Sequence, residues 1–334
     1  MRWNELPVLR SFFPKLPELK SRREVGLMRE AGKIVAEALR VCRAMAKPGV
    51  TTGEINKAVD ALYARAGVIP LFKGYPGRTP FPAVTCISLN EQVVHGIPNS
   101  RKIREGDLIK IDTACKLNGW CADAAITIIV GEVRPEWRRL VRVAEEVLQI
   151  AIDEIPRRKW WSEVAGKMQR HVEQASFSVV QQYVGHGIGR IMHENPQVPN
   201  YISRDMRKHD FRLEEGLVLA VEPMVNMGRP DVDVLSDHWT VVTRDGLPSA
   251  HVEHTLAILD GKVVIVTGDE EPPAASVPVQ AAQTATAESS AAISGDSVSV
   301  VSVDGRVPSA EQPIAAATEN SRLADRQLAM PRLQ

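Results

Sequence analysis

Amphipathic helices are predicted at the start and in the middle of the chain. Apolar residues recur at intervals of three and four over 23–46, which is typical of a helix with one buried face. A second helix is predicted over 51–67, where Thr51 and Glu54 are spaced as a capping box. The same periodicity predicts two more helices: 136–155, and 163–174 with Ser162 as its N-cap.

Short apolar runs between turn signals predict strands around these helices. The runs are "AVTCISL", "DLIKIDTAC", "CADAAITIIVGEV", "SFSVVQQYV", "GLVLAVEPMV", "HWTVVTRDG" and "HVEHTLAILDGKVVIVT". Because helices and strands come in alternating blocks, with several hairpin-like pairs, the pattern favours an α+β or mixed α/β core from about residue 20 to residue 267.

One predicted hairpin, "DLIKIDTACKLNGWCADAAITIIV", carries two carboxylates in flanks that are otherwise apolar. Asn118-Gly119 is typical of a two-residue type I′ turn. Because side chains alternate between the faces of a sheet, a turn centred there puts Asp112 and Asp123 on one face as diagonal neighbours. Two buried acids repel each other unless a cation compensates, so a metal site and a purely structural role are about equally well supported at this point.

An internal repeat relates this hairpin to a later strand. "EGDLIKID" (105–112) aligns without gaps with "EGLVLAVE" (215–222). Both run from Glu-Gly through apolar residues to a carboxylate six residues after the Gly. The repeat predicts two duplicated half-domains with a shared site between them.

Composition is that of an ordinary globular protein, except at the ends of the chain. The 334 residues are 44% hydrophobic and 25% charged with a formal net charge of +0, which argues against a dedicated nucleic-acid or membrane-surface binder. The run "RRKWW" (157–161) is interpreted as a solvated loop rather than a nucleic-acid patch. Residues 1–20 are predicted to be an N-terminal extension, 21–268 the globular domain, and 269–334, rich in Ala, Ser, Pro and Val, a mostly disordered tail.

The cysteines and the apolar runs indicate a cellular compartment. The four cysteines form no CxxC pair, no secretion signal is evident, and no apolar run approaches the ~20 residues of a membrane span. We therefore expect a reduced, cytoplasmic protein.

Further ligand types follow later in the chain. "YVGHGIGRIMHENP" carries His186 and His193 among glycines, which let a ligand approach closely. Glu222 and Glu253 stand in apolar strand-like runs, where a buried Glu is rare unless it is paired or metal-bound. Four carboxylates and one imidazole are thus candidate ligands: Asp112, Asp123, His186, Glu222 and Glu253. Four negative charges match two divalent cations, and oxygen-rich ligation suits Mn²⁺, Fe²⁺, Co²⁺ or Zn²⁺.

These residues resemble the motifs of the type I methionine aminopeptidases of peptidase family M24. Segments that match in the family's order cover about 20–267: "MREAGKI", "PGVTTGEI", "CISLNEQVVHGIP", "GDLIKIDTACKLNGWCAD", "GHGIGRIMHENPQVPNY", "GLVLAVEPMV", "DHWTVVTRDG" and "SAHVEHT". The short interval between His193 and Glu222 indicates type I, because it leaves no room for the helical insert of type II. The resemblance implies the pita-bread fold, an α+β fold of two pseudo-symmetric halves with a curved antiparallel sheet covered by helices. It also implies removal of the initiator methionine from nascent proteins, with a preference for a small second residue.

The resemblance also implies residue roles. The five candidate ligands would hold two divalent ions (Co, Mn, Fe, Zn or Ni), with Asp123 and Glu253 bridging them. His95 would contact the substrate near the scissile amide, and His193 would bind the substrate carbonyl and stabilise the tetrahedral intermediate. Glu222 would also be the general base. The methionine pocket would be formed by the matching positions Tyr75, Phe81, Cys86, Met192 and Trp239.

Three features depart from the family pattern. Ala124 follows Asp123 where the family commonly has a Thr, so altered support of the ligands is expected. Met192 stands where an aromatic residue is common, and the segment around Phe81 is longer than usual, so the pocket is expected to differ in shape.

Two alternative functions remain open. A proline-specific peptidase of the same fold usually has a large extra N-terminal domain, whereas about twenty residues precede the match here. A non-catalytic pita-bread module usually loses metal ligands, whereas all five are present. The expected partners are nascent polypeptide N-termini, with transient ribosome contact, no nucleic acid and no membrane. The chain is expected to be a monomer.

Overall fold

The computed structural model describes residues 17–203 and 209–268. The predicted tail (269–334) and most of the predicted N-terminal extension lie outside the described residues. The main helices are α1 (Arg22–Met45), α2 (Thr52–Ala66), α3 (Pro135–Glu154) and α4 (Trp161–Gln174), and a short 3₁₀ turn (Ile155–Arg157) follows α3. Within the described part of the chain, no helix has the length and apolar character to cross a membrane.

All strand pairing in the described residues is antiparallel. The first strands are β1 (Ile69–Pro70), β2 (Thr85–Leu89), β3 (Leu108–Leu117) and β4 (Trp120–Ile129). The later strands are β5 (Ser178–Val179), β6 (Gly185–Gly187), β7 (Glu194–Val198), β8 (Val218–Val221), β9 (Met224–Asn226), β10 (Val232–Val234), β11 (Val241–Thr243), β12 (Ser249–His251), β13 (His254–Leu259) and β14 (Lys262–Ile265). One sheet joins β1 and β2 to one side of β3 and β4 to its other side, and a five-stranded sheet has the order β14-β13-β8-β6-β7. Two smaller sheets are β12-β9-β5 and β10-β11.

The local signals at the helix starts have mixed outcomes. The Thr51–Glu54 capping box is confirmed, because the Glu54 carboxylate accepts the Thr51 N–H (2.7 Å) and the Thr51 hydroxyl accepts the Glu54 N–H (3.2 Å). The prediction of Ser162 as an N-cap is wrong. Helix α4 begins at Trp161, two residues before the predicted start, its N-cap is Trp160, and the Glu163 carboxylate accepts the N–H of Trp160 (3.0 Å).

The β3–β4 hairpin has the predicted register. Asn118 (φ 50°) and Gly119 (φ 85°) both have the positive φ that a type I′ turn requires. Ten consecutive pairs follow without a bulge, from Leu117 opposite Trp120 to Leu108 opposite Ile129. The uninterrupted register puts Asp112 and Asp123 on one face, as predicted.

The internal repeat corresponds to a repeated local structure. Gly106 (φ 87°) and Gly216 (φ 84°) both turn the chain into a strand. The Gly106 N–H donates to the carbonyl of Val130 (2.8 Å), and the Gly216 N–H donates to the carbonyl of Ile258 (2.9 Å). The pairs β3–β4 and β8–β13 are therefore equivalent hairpin-like units. Helices α1 and α2 share an apolar core with the first unit, and α3 and α4 share one with the second.

Two predicted site residues lie outside regular strands, contrary to expectation. Strand β8 ends at Val221, because Pro223 follows Glu222 and has no N–H to continue the ladder. Glu253 lies where the chain leaves β12, which pairs with β9, and enters β13, which pairs with β8. Both acids thus stand where a strand begins or ends, facing the first hairpin unit.

Candidate metal centre

The candidate ligands lie on two neighbouring rows that cross the joined sheets. In the first row Cys86 pairs with Asp112, Asp112 with Ala125, and Ala125 with Glu253 through an isolated bridge. The register of β8 with β13 pairs Val221 with His254, and its continuation by one residue sets Glu222 beside Glu253. Three of the four carboxylates therefore stand on one line across the sheet.

The second row lies two residues further along each strand, on the same face. It contains Ala114 opposite Asp123, then Thr255 opposite Ala220, and Ala220 opposite His186. The alanines on the two rows leave space between the ligands. The fold thus brings together an acid hairpin from the first half with an imidazole and two acids from the second.

These carboxyl groups are buried together and lack enough hydrogen bonds. Among the described residues, Asp112 Oδ1, Asp123 Oδ1 and Glu253 Oε1 are buried without a hydrogen-bond partner. Burial raises the pKa of Asp112, Glu222 and Glu253 well above ordinary carboxyl values, and neighbouring carboxylates raise it further. Burial also raises the pKa of Asp123, to about 7. Such a cluster requires cations to stay ionised at neutral pH.

His186 is oriented as a metal ligand. Its Nδ1 lies 2.9 Å from the carbonyl oxygen of Gly187, to which it can donate, so Nε2 keeps its lone pair. Nε2 lies 3.7 Å from Glu222 Oε1 and 4.0 Å from Asp123 Oδ2. Burial lowers the pKa of His186 to about 4, which keeps the ring neutral. Ligand atoms of Asp123, His186 and Glu253 all lie within 4.8 Å of one another, so these residues fit a divalent metal ion.

His193 stands beside His186, with ring centroids 4.3 Å apart. Its Nδ1 lies 2.8 Å from the Tyr75 hydroxyl. Burial lowers the pKa of His193 well below its ordinary value and raises that of Tyr75, so both are neutral at pH 7. The loop before His193 is held by the buried Glu194 carboxylate, which accepts the N–H of Arg190 (2.7 Å) and pairs with buried Lys20.

His95 approaches the same space from the first half of the chain. It has a positive φ of 59°, which is uncommon for a residue other than Gly. Its ring meets the Tyr183 ring edge-to-face at 5.5 Å, and burial lowers the pKa of His95 to about 4. The imidazole is therefore neutral and held in the wall of the cavity.

Aromatic side chains form an apolar pocket next to the acids. Trp239 meets Phe81 at 5.2 Å and Tyr75 at 6.5 Å between ring centroids, edge-to-face in both cases. The Trp239 indole N–H donates to the carbonyl of Thr79 (2.9 Å). This bond fixes the longer segment around Phe81 against the ring. Cys86 and Met192 belong to the same buried cluster.

A single cavity of about 1340 Å³ is lined by all twelve residues assigned from the sequence: Tyr75, Phe81, Cys86, His95, Asp112, Asp123, His186, Met192, His193, Glu222, Trp239 and Glu253. The structure thus brings every one of them together. Their individual roles remain predictions.

Four neighbours of the site were not identified from the sequence. Phe72 belongs to the aromatic cluster and Tyr183 lines the cavity. His251 is buried, with Nε2 3.7 Å from Glu222 Oε2, and Thr255 bonds to the backbone of Asp123. The alternation of side chains along "SAHVEHT" puts residues 251, 253 and 255 on one face of the strand. This alternation could have indicated His251 and Thr255 as neighbours of the site.

The side chain of Ala124 points away from the metal ligands. It is fully buried in the apolar core shared with α1 and α2, on the face of β4 opposite to Asp123. Its partner across the hairpin is Thr113, whose hydroxyl lies 2.9 Å from the Tyr63 hydroxyl. The side chain at this position therefore lies in the core and not in the wall of the cavity.

Buried carboxylates and a neutral imidazole that face one cavity from two equivalent halves are a donor set that suits a divalent-metal enzyme. The model of metallopeptidase family M24 matches residues 26–260. Methionine aminopeptidase 1 from Bacillus subtilis is 44% identical over 248 residues, covering 74% of this chain and 98% of that protein. Methionine aminopeptidase from Clostridium perfringens is 44% identical over 249 residues, with coverages of 75% and 98%. The chain belongs to metallopeptidase family M24 and, within it, to the methionine aminopeptidases.

Solved structures support the same assignment. The crystal structure of methionine aminopeptidase from Thermotoga maritima is 40% identical with a TM-score of 0.71, covering 75% of this chain and 99% of that chain. Prolidase from Pyrococcus furiosus has a TM-score of 0.57 at 20% identity, covering 76% and 66%, so this likeness shows the shared fold alone. The predicted pita-bread fold is confirmed.

Proposed function

We propose that the chain, a metal-dependent methionyl aminopeptidase, removes the initiator methionine from nascent polypeptides and prefers a small second residue. The observation that carries this proposal is the pair of rows that brings Asp112, Glu222 and Glu253 beside Asp123 and His186 on one sheet face. These five residues would hold two divalent ions. The ions, when bound, would activate a water molecule and polarise the scissile carbonyl.

The chain's own residues would supply positioning and proton transfer. In this proposal the Tyr75 hydroxyl, 2.8 Å from His193 Nδ1, is the donor, so the proton of the neutral ring stays on Nε2, where it can bond to the substrate carbonyl oxygen and to the oxyanion that develops there. His95 would contact the scissile amide from the opposite wall. Glu222, whose carboxylate faces the cavity, would accept a proton from the attacking water.

The aromatic pocket would select methionine. An unbranched thioether makes favourable contacts with aromatic ring edges, and the rings of Tyr75, Phe81 and Trp239 surround a space next to the acids. Cys86 and Met192 add polarizable sulfur to the same wall. A branched or charged first residue would fit less well.

The setting of this activity is proposed on the same basis. We take residues 21–268 as the catalytic domain and the substrates as nascent N-termini in the cytoplasm, with transient contact to the ribosome and a monomeric enzyme. Metal-free protein should bind close to two Mn²⁺ or Co²⁺ ions per chain, as measured by calorimetry.

The activity is tested with a series of Met-X-Ser tripeptides and the Mn²⁺- or Co²⁺-loaded enzyme. We expect release of methionine, fastest for Met-Ala-Ser and slow for bulky X. Asp112→Asn should lose most metal binding and activity, whereas Asp107→Asn, which lies at the start of the same hairpin outside the cavity, should keep both. Faster cleavage of Xaa-Pro substrates would favour a proline-specific peptidase. Folded, metal-loaded protein that releases no methionine would refute the proposal.

A further inference from the structure

The two halves of the molecule are joined along a seam beside the candidate metal centre. Residues 251–255 run antiparallel to 123–127 of β4, and Ala125 and Glu253 form the central pair. The Glu253 N–H donates to the Ala125 carbonyl (2.8 Å), and the Ala125 N–H donates to the Glu253 carbonyl (3.4 Å). On either side of this pair, a threonine hydroxyl bridges the two backbones.

The two threonines make equivalent contacts. The Thr255 hydroxyl accepts the N–H of Asp123 (3.1 Å) and donates to the carbonyl of Asp123 (2.8 Å). The Thr127 hydroxyl accepts the N–H of His251 (3.0 Å) and donates to its carbonyl (2.6 Å). Both threonine side chains are buried. Each hydroxyl therefore supplies the hydrogen bonds that the buried N–H and carbonyl of the facing residue, Asp123 or His251, would otherwise lack.

Thr255 is itself fixed by the second half of the molecule. Its N–H donates to the Thr267 hydroxyl (3.2 Å), and its carbonyl accepts the N–H of Val266 (2.8 Å). It also pairs with Ala220 in the five-stranded sheet. The position of the Thr255 hydroxyl is therefore set independently of β4, to which Asp123 belongs.

Asp123 needs such external support. Its carboxylate is buried among other acids and has an oxygen without a hydrogen-bond partner among the described residues. Asp123 and Glu253 belong to different halves of the molecule, so their spacing depends on contacts across the seam. The hydroxyl at 255 is such a contact, because it holds both backbone polar groups of Asp123.

We infer that Thr255 is a positioning residue of the metal centre, whose hydroxyl fixes the spacing between Asp123 of the first half and Glu253 of the second. The inference rests on the proposed function, in which both acids help to hold the ions. Supporting contacts behind metal ligands typically change metal affinity by about 10- to 100-fold when they are removed. An effect of this size is expected here.

Thr127 provides a matched control. Thr255→Val and Thr127→Val each remove one buried hydroxyl that bridges the seam, at sites four residues apart along it. Only the first replaces a contact to a candidate metal ligand. Thr255→Ser keeps the hydroxyl and should restore the wild-type behaviour, and Thr255→Ala removes it without placing a methyl group against two polar backbone groups.

The experiment titrates Mn²⁺ into metal-free wild-type and variant proteins by calorimetry and records their urea midpoints. We expect Thr255→Val and Thr255→Ala to raise Kd for Mn²⁺ by about 10-fold or more. Thr255→Ser and Thr127→Val should stay within about threefold of wild type, although Thr127→Val and Thr255→Val lower the urea midpoint similarly.

Three results would overturn the inference: an unchanged Kd in Thr255→Val, an equal loss of affinity in Thr127→Val, or failure of both Thr255→Val and Thr255→Ala to fold. Each would mean that the hydroxyl serves the fold in general. Mn²⁺ binding by the wild-type protein in this titration, and methionine release by the wild-type enzyme in the tripeptide assay, test the proposed function separately, because they do not depend on any variant.

Discussion

The proposed role of His193 requires the proton of its neutral ring on Nε2, and the Tyr75 hydroxyl favours that tautomer when it donates to Nδ1. The hydroxyl lies 2.8 Å from Nδ1, and burial raises the pKa of Tyr75, so the phenol keeps its proton and can donate it. Nε2 then carries the ring proton that the proposed role of His193 requires. Without Tyr75 both tautomers of the neutral ring become accessible.

We therefore predict that Tyr75→Phe lowers kcat by about 10-fold and that His193→Ala lowers it by about 10²–10³-fold, as for the loss of an oxyanion donor. The aromatic ring is kept in Tyr75→Phe, so KM for Met-Ala-Ser should change little. Tyr201→Phe, which removes a hydroxyl bonded to the Gln181 carbonyl, is the matched control and should retain activity. A wild-type kcat in Tyr75→Phe would show that the hydroxyl does not set the tautomer.

The Asn118-Gly119 turn sets the register of the β3–β4 hairpin. Gly119 has a φ of 85°, which costs a residue with a Cβ about 1–3 kcal/mol. Asn118, with a φ of 50°, lies in the left-handed region that Asn tolerates. The turn is therefore a local determinant of where Asp112 and Asp123 point.

We predict that Gly119→Val lowers the free energy of unfolding by about 1–3 kcal/mol, measured by urea denaturation. Asn118→Gly should change it by less than about 1 kcal/mol. Mn²⁺ affinity should be kept in both variants, because the bridge between Ala125 and Glu253 and the Thr255 hydroxyl also hold the register. Loss of metal binding in Gly119→Val without unfolding would show that the turn alone positions the acids.

Elements with local determinants were predictable from the sequence, and those with distant determinants were not. The register of the β3–β4 hairpin, which decides the face on which each side chain lies, follows from the turn residues. The Thr51 capping box likewise follows from residues three positions apart. Thr255 and Asp123 are 132 residues apart, and no local pattern relates them. The apolar runs around Glu222 and Glu253 predict that both residues lie within strands. Instead, the chain passes from one sheet to another at both residues, and an apolar run does not reveal such a change.

At the scale of the whole molecule, the buried site makes stability depend on pH. Burial lowers the pKa of His95 and His186 to about 4 and that of His251 to about 3, whereas an unfolded His titrates at about 6.5. The unfolded chain therefore binds more of these protons up to about pH 7.5, one unit above the unfolded pKa. Their contribution to the slope shrinks as pH rises from 6.5 and is lost above about pH 7.5.

The carboxyl groups act at higher pH and with the opposite sign. In metal-free protein, burial raises the pKa of Asp112, Glu222 and Glu253 well above the unfolded values of about 4. The folded state then binds more protons than the unfolded state, and stability is lost as pH rises. Lys110 opposes this trend, since burial lowers its pKa to about 7, but one lysine stands against four acids, because burial also raises the pKa of Asp123 to about 7.

We therefore predict that the metal-free protein becomes less stable between about pH 6.5 and pH 8, whereas the Mn²⁺-loaded protein does not. Bound cations keep the carboxylates ionised in the folded state, which removes the excess of bound protons. The measurement is urea unfolding of chelator-treated and Mn²⁺-loaded protein across this pH range. Glu222→Gln, which removes one of the titrating acids, should flatten the slope of the metal-free protein. Stability of the metal-free protein that rises from pH 6.5 to pH 8 would contradict the raised pKa values, and with them the need of this acid cluster for cations.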